Sequence, residues 1–351
     1  MTGKCEMHSL RMTMWTRLIA PILVLTIVSC KDESSAAVEA LSPESVRTLQ
    51  SLQKINDYPL YVMTYIGDYG FRTLLKADGG DPAPSEEKLR PVEEGEWMCT
   101  CFAAYGDSIA PVFGRNFDWR HRACLLLFTD PTDGYASVSM VDIYYCGYTS
   151  DPDLTSLEQR RGLLNAPLTP FDGMNERGVA IGIMAVPYVQ APYDPGKRSL
   201  SDLGIVRLVL DYAEDTDHAI SLIRKYNVRM DEVPLHFLIA DRSGTSAVIE
   251  FVNYEIKVMY NHLPYQVATN FVLHDYFPSL LGRCWRYDLA YDVLQDKAGK
   301  ILMSDARDIL RSVSQSNTMW SSVYGLKSGE VQIVTGRQYD SVYRSNLTVT
   351  H

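Results

Sequence analysis

Cys99 and Cys101 stand one residue apart in the stretch Trp97–Trp119, "WMCTCFAAYGDSIAPVFGRNFDW", which ends in a cluster of Arg115, Asn116 and Asp118. Four chemistries compete for the pair. A metal site needs three or four ligands at suitable spacing, and His121 is the only histidine close by in the sequence, so the zinc signature is poor. A redox pair is more usually C-x-x-C at a helix start. Two small buried hydrophobes would account for the cysteines but not for the charged cluster that follows. A nucleophile accounts for both: a thiol becomes reactive as the thiolate, which a neighbouring arginine favours, and a carboxylate and an amide can orient a base and stabilise an oxyanion.

The surrounding sequence resembles a known group of enzymes. "MCTCFAAYGDSIAPVFGRNFDW" is similar to the start of the mature catalytic chain in the choloylglycine hydrolase superfamily, which contains bile salt hydrolases, penicillin V acylases and the acid ceramidase and N-acylethanolamine amidase branch. Those chains begin Cys-Thr and reach an arginine of Gly-Arg-Asn-x-Asp sixteen residues on, the spacing from Cys99 to Arg115 and not from Cys101. "FDGMNERGVAIGIMAVP", "LIADRSGTSAVIEF", "VATNF", "GRCWR" and "TMWSSVYGLKSGEVQI" resemble further family segments in the same order, so the resemblance runs from about Cys99 to Val334. It implies an α+β fold, a four-layer αββα sandwich with two antiparallel sheets, and no cofactor or metal.

By the same resemblance Cys99 is the nucleophile and Asp118 holds its α-ammonium. Asn270 donates to the oxyanion, and Arg283 is the second arginine of the site. Asn175 reads as a turn residue. A free amine on the nucleophile supplies its own base, because its pKa of ~7.7–8.0 lies near working pH. One departure stands out: where bile salt hydrolases have a second oxyanion asparagine, this chain has Ala185, whose side chain cannot donate. The expected activity is hydrolysis of linear, non-peptide carbon–nitrogen bonds in small N-acyl amides. An acyltransferase using the same acyl-enzyme and a non-catalytic surface-binding lipoprotein are the alternatives. The aromatic stretches Tyr144–Tyr148 and Pro187–Tyr193 are candidates for the substrate pocket.

These residues need elements to carry them. "SIAPVFGRNFDW", "ACLLLFTD", "ASVSMVDIYY" and "GVAIGIMAVPY" have strand length and β-type composition, and "LHFLIADRSGTSAVIEF" splits at "DRSG" into a hairpin that "YEIKVMY" extends. "SDLGIVRLVLDYAEDTDHAISLIRKY" has apolar residues at helical spacing with Ser201 and Thr216 or Asp217 as caps. "FPSLLGRCWRYDLAYDVLQDK" and "SDARDILRSVSQ" read as two more helices, and "MWSSVYGLKSGEVQIVTG" as a closing hairpin. Strands in runs and helices in runs predict α+β layers, not alternating βαβ units.

The N-terminal part has another character. Arg11 and Arg17 precede an apolar run from Leu18 to Val28 and then Cys30, in "TIVSC". Eleven residues are too few for a bilayer, which takes ~20, so residues 1–30 read as a signal peptide whose ending resembles a lipobox with Cys30 as lipidation site. The expected location is exported, periplasmic or at the cell surface, membrane-anchored through lipid. Residues 31–98 then form a tether and pro-segment, with Ser45–Leu75 apolar enough to be kept as a small helical subunit, and residues 99–351 the hydrolase domain. Freeing the Cys99 amine requires cutting Met98–Cys99, by attack of the thiol on the preceding carbonyl.

The whole chain fits this reading. Its 351 residues carry a formal charge of −10, with 22% charged and 46% hydrophobic residues, a globular composition without the basic stripe that nucleic-acid binding needs. Of seven cysteines, Cys99, Cys101, Cys124, Cys146 and Cys284 fall in the folded body. The odd count leaves a free thiol even in an oxidising setting. Homo-oligomerisation stays open.

Overall fold

The described residues of the computed structural model are 40–76, 98–348 and 350. The expected signal segment, the expected lipidation site Cys30 and the acidic Gly/Pro stretch before Met98 lie outside them. The short strands of the first part are β1 (Gln53–Lys54) and β2 (Leu60–Thr64). From Cys99 onward follow β3 (Thr100–Ala104), β4 (Val112–Asp118), β5 (Cys124–Thr129), β6 (Ser137–Asp142), β7 (Asp172–Asn175) and β8 (Val179–Ala185). After the short pair β9 (Ser199–Ser201) and β10 (Asn227–Arg229) come β11 (Leu235–Asp241), β12 (Ser246–Val252), β13 (Glu255–Tyr260) and β14 (Tyr265–Ala268). The chain closes with β15 (Thr318–Gly325), β16 (Glu330–Thr335) and β17 (Tyr343–Asn346).

Two large sheets result. The nine-stranded one has the order β1-β2-β5-β6-β7-β8-β11-β12-β13, and the six-stranded one β14-β3-β4-β15-β16-β17. All neighbours in them are antiparallel except β2 and β5, which run parallel from Leu60↔Cys124 to Thr64↔Phe128. The helices Asp202–Tyr212 and Thr216–Ile223 cover the outer face of the larger sheet, and Trp285–Asp296 and Met303–Ser312 that of the smaller. This is the four-layer αββα arrangement of an α+β fold. Every residue of β3, β4, β8, β11 and β12 is buried, since one face meets the opposite sheet and the other a helix layer. Such doubly covered strands read as continuous apolar runs, and a charged residue in one needs a partner across the gap.

Local signals explain the boundaries. Ser201 caps its helix by accepting from the Gly204 N–H at 3.0 Å, as its residue type favours. Asp215, not Thr216 or Asp217, caps the next one, accepting from the His218 N–H at 2.7 Å. The expected strand 136–145 stops at Asp142, whose side chain accepts from Tyr144 N–H and turns the chain into a 3-10 segment, Ile143–Cys146.

Two expectations change. The segment 45–75 is not helical throughout: between the helices Pro43–Gln50 and Phe71–Lys76 it supplies β1 and β2 to the larger sheet. The expected helix from Phe277 begins only at Trp285, because Pro278 and the left-handed Gly282, at φ +79, break what precedes it. Among the described residues no helix is long and apolar enough to cross a membrane.

Candidate active site

The smaller sheet brings the start of β3 beside β4 and β14. β3 pairs with β14 as Ala268↔Cys101, and continuing that antiparallel register sets residue 270 opposite residue 99. β3 pairs with β4 as Cys101↔Arg115 and Thr100↔Asn116. Strand register therefore brings β4 and the distant β14 together at Cys99.

Arg115 leaves β4 toward the larger sheet. Its Nη1 donates to Asp172 Oδ2 at 2.5 Å and to the Phe171 carbonyl at 2.7 Å, and its Nη2 to the Ile183 carbonyl at 2.7 Å. The same Nη2 lies 4.0 Å from Cys99 Sγ. Both members of the Arg115–Asp172 ion pair are fully buried. Asp172 also accepts from Trp320 Nε1 at 2.9 Å, Ser322 Oγ at 3.1 Å and Tyr324 OH at 2.5 Å. Burial alone would lower the arginine's pKa, but Asp172 outweighs it and holds the guanidinium above its ordinary range. The Phe117 ring adds a face 4.9 Å from Arg115 Cζ, a cation–π contact. Asp172 was not expected in this role. The signal for it was an arginine inside a doubly covered strand, which demands a buried carboxylate.

Burial raises the Cys99 thiol pKa, while Arg115 pulls it down and Asp118 adds to the rise. Cys101 is buried deeper in the strand and its thiol is pushed well up, first by burial. An α-carbon side chain at Gly182 on β8 would come within 2.9 Å of its sulfur, so Cys101 packs against the opposite sheet.

Asp118 ends β4 where β15 is irregular: the register slips between Thr318 and Trp320. Extra residues of this kind re-aim side chains beside functional sites. Here the slip presents Thr318 Oγ1, which donates to Asp118 Oδ1 at 2.5 Å. Asp118 Oδ2 is buried with no hydrogen-bond partner among the described residues. Burial pushes this carboxyl up to about 7, against Thr318 and the arginines Arg286, Arg115 and Arg337. An orphaned buried carboxylate oxygen costs ~1–3 kcal/mol unless a donor arrives.

Asn270 donates from Nδ2 to the Ala185 carbonyl at 2.7 Å and accepts at Oδ1 from Arg286 Nη2 at 3.0 Å. One amide N–H of Asn270 is thereby left for another acceptor. Ala185 enters the site through its main-chain oxygen, which locks Asn270.

Arg283 is a correction. It is exposed and lies over the Tyr276 ring at 4.4 Å, ahead of the helix start. The arginine that reaches the cysteine is Arg286, in the helix's first turn, whose Nη1 donates to the Cys99 carbonyl at 2.6 Å and to Thr100 Oγ1 at 3.1 Å. "GRCWR" holds two arginines, and the helix boundary decides between them. Asn175 is a turn residue: its Oδ1 accepts from the N–H groups of Arg177 and Val179.

Cys99 opens into a cavity of about 180 Å³ with Phe117, Tyr145, Phe171, Ile183 and Leu235 among its walls. Of the two aromatic stretches expected there, only Tyr145 takes part; no residue of 187–193 lines it. Cys99, Cys101, Cys124, Cys146 and Cys284 are all free thiols.

Comparison with known proteins follows this geometry. Comparison with curated proteins returned no match. Among solved structures, a mutant conjugated bile acid hydrolase from Clostridium perfringens is similar with a TM-score of 0.52 at 17% identity, covering 71% of this chain and 92% of that one. A penicillin V acylase from Agrobacterium tumefaciens is similar with a TM-score of 0.52 at 18% identity, covering 71% and 86%. At these identities the likeness speaks for the fold, that of the N-terminal nucleophile hydrolases. The family model described as linear amide C–N hydrolases, choloylglycine hydrolase family, matches residues 99–298, beginning at Cys99 itself and spanning more than half of the chain. The chain therefore belongs to the choloylglycine hydrolase family of linear amide C–N hydrolases.

Proposed function

We propose that this amide hydrolase works through Cys99, freed by cleavage of the Met98–Cys99 bond, on small N-acyl amides. The observation that carries the reading is the unpartnered, buried Asp118 Oδ2 in the charge environment of the Cys99 thiol, which an ammonium on Cys99 would satisfy. In the uncut chain that nitrogen is an amide.

Maturation balances without a co-reactant other than water. The Cys99 thiol adds to the Met98 carbonyl carbon, the C–N bond breaks, and Met98 passes to sulfur as a thioester while the nitrogen leaves as the Cys99 amine. Water hydrolyses the thioester, giving a Met98 carboxylate and the free thiol.

Turnover then uses the same groups. The amine takes the thiol's proton, and Arg115, 4.0 Å from the sulfur, favours the thiolate. The thiolate adds to the substrate amide carbon. The remaining N–H of Asn270 stabilises the oxyanion, a donor whose loss typically costs ~10²–10³ in turnover. The C–N bond breaks as the ammonium returns its proton to the leaving amine, and water, with the amine as base, releases the acid from the acyl-enzyme. Arg286 holds the Cys99 carbonyl and Asn270 in register.

A hydrolysis screen of conjugated bile salts, penicillin V, N-acylethanolamines and acyl-homoserine lactones tests the activity. Release of amine from at least one, abolished in Cys99→Ala, is expected; an active Cys99→Ala enzyme contradicts the nucleophile. We also propose export and membrane anchoring through lipid on Cys30, for which a Cys30→Ser variant that stays in the membrane fraction would be the contrary result.

A further inference from the structure

Behind Asn270 lies a buried histidine–glutamate pair that the chemistry above does not use. His236 on β11 and Glu250 on β12 are fully enclosed, with His236 Nδ1 2.9 Å from Glu250 Oε1. The other ring nitrogen, Nε2, lies 2.7 Å from the Thr269 carbonyl. Both nitrogens thus face acceptors. The ring is thereby held between two strands and the loop that follows β14. Glu250 is held as the anion: burial alone would raise its pKa, but His236 and the N–H groups of His274 and Leu273 hold it below the ordinary range.

The pair also grips the far side of the same loop. Glu250 Oε1 accepts from Leu273 N–H at 2.7 Å and Oε2 from His274 N–H at 2.8 Å. The loop leaving β14 is therefore fastened at residue 269 by the histidine and at residues 273 and 274 by the glutamate. Asn270 sits between the two fastenings. Its side chain bonds Ala185 O and Arg286; β14 register brings its backbone to Cys99, and beyond the end of that strand the His236–Glu250 pair of the opposite sheet holds the loop in place.

We propose that His236, held by Glu250, is a positioning residue that sets Asn270 against the reacting carbonyl. This rests on the role of Asn270 given above. A buried pair of this kind is weak evidence for stability, since apolar residues of similar volume often serve as well. Fixing a donor to a fraction of an ångström is another matter, because misplacing a catalytic group by 1 Å can cost about 10²-fold.

The test is a double-mutant cycle on His236→Gln, Asn270→Ala and the double variant. kcat and KM are measured with penicillin V or, if that is not cleaved, with the fastest amide of the screen. Residues that act as one unit have non-additive effects, and independent ones add. Asn270→Ala is expected to lower kcat by ~10²–10³. His236→Gln should lower it between about tenfold and 10²-fold with KM little changed, and the double variant should be no slower than Asn270→Ala alone. A double variant slowed by the product of the two losses overturns the proposal, as does a His236→Gln enzyme with normal kcat. If His236→Gln does not accumulate folded, Glu250→Gln takes its place in the cycle with the same expectations. An Asn270→Ala enzyme at full activity is a different result: it removes the oxyanion role itself, and the positioning claim with it.

Discussion

Arg115 serves the thiol because Asp172 holds it. Two buried carbonyls and one carboxylate take its N–H groups and leave Nη2 near Cys99 Sγ, while Trp320, Ser322 and Tyr324 hold Asp172 in turn. Arg286 fixes the backbone of Cys99 from the other side. Removing it leaves the Cys99 carbonyl and Asn270 without their shared donor, so Arg286→Ala should lower kcat at least about tenfold, in line with ~1.5–3 kcal/mol for a hydrogen bond to a charged group. Arg283→Ala, at an exposed ring, should leave turnover within twofold or so. Steady-state assay of the two variants checks this, and the reverse ranking would restore Arg283 to the site.

Asp118 carries a pH signature. Its folded value, about 7, lies above the ordinary 3.8, so between these the native state keeps a proton that the unfolded chain has lost. Its contribution to stability is then full below about pH 4 and is lost as pH rises toward 7. In the uncut Cys99→Ala background, Asp118→Asn should flatten the fall of Tm over that range. Parallel Tm profiles for the two proteins would contradict the burial of a lone carboxyl there.

At the scale of elements, β2 matters most. It hydrogen-bonds along β5 from Leu60 to Thr64, and Leu60 and Met63 are fully buried, so stripping it would expose both apolar side chains and a strand edge. After a cut at Met98–Cys99 the fragment bearing β2 should stay bound in size-exclusion chromatography at neutral pH and separate only in denaturant. A fragment lost in buffer alone would make the first part a true leader. Elements also decide what could be foreseen. The strands β4, β5, β6, β8 and β13 and the central hairpin β11–β12 were legible, because their apolar runs and turn residues agree with their final places, whereas the short β7, β9 and β10 were not read as strands. The start of the helix carrying Arg286 was missed, since apolar Phe277, Leu280 and Leu281 continue a helical rhythm across Gly282. The first part was misjudged for a related reason: "YPLYVMTY" packs as a strand only because β5 offers an edge, and a partner distant in sequence leaves no local mark. Asp172, His236 and Glu250 escaped notice likewise, as each acts through a residue on another strand.

At the scale of the molecule, the two sheets are the machine. The smaller one aligns Cys99, Arg115 and Asn270 by register, and the larger one supplies the counter-charges and clamps: Asp172, the Ile183 and Ala185 carbonyls, and the His236–Glu250 pair. The proposed amide hydrolysis at Cys99 requires the first residue of this architecture to be a chain terminus. Intact-mass spectrometry of the purified protein tests that most directly. The account predicts that wild-type protein splits at Met98–Cys99 into two chains and that Cys99→Ala remains one. A Cys99→Ala protein that still divides at this bond, or an uncut wild type that hydrolyses amides, would contradict it.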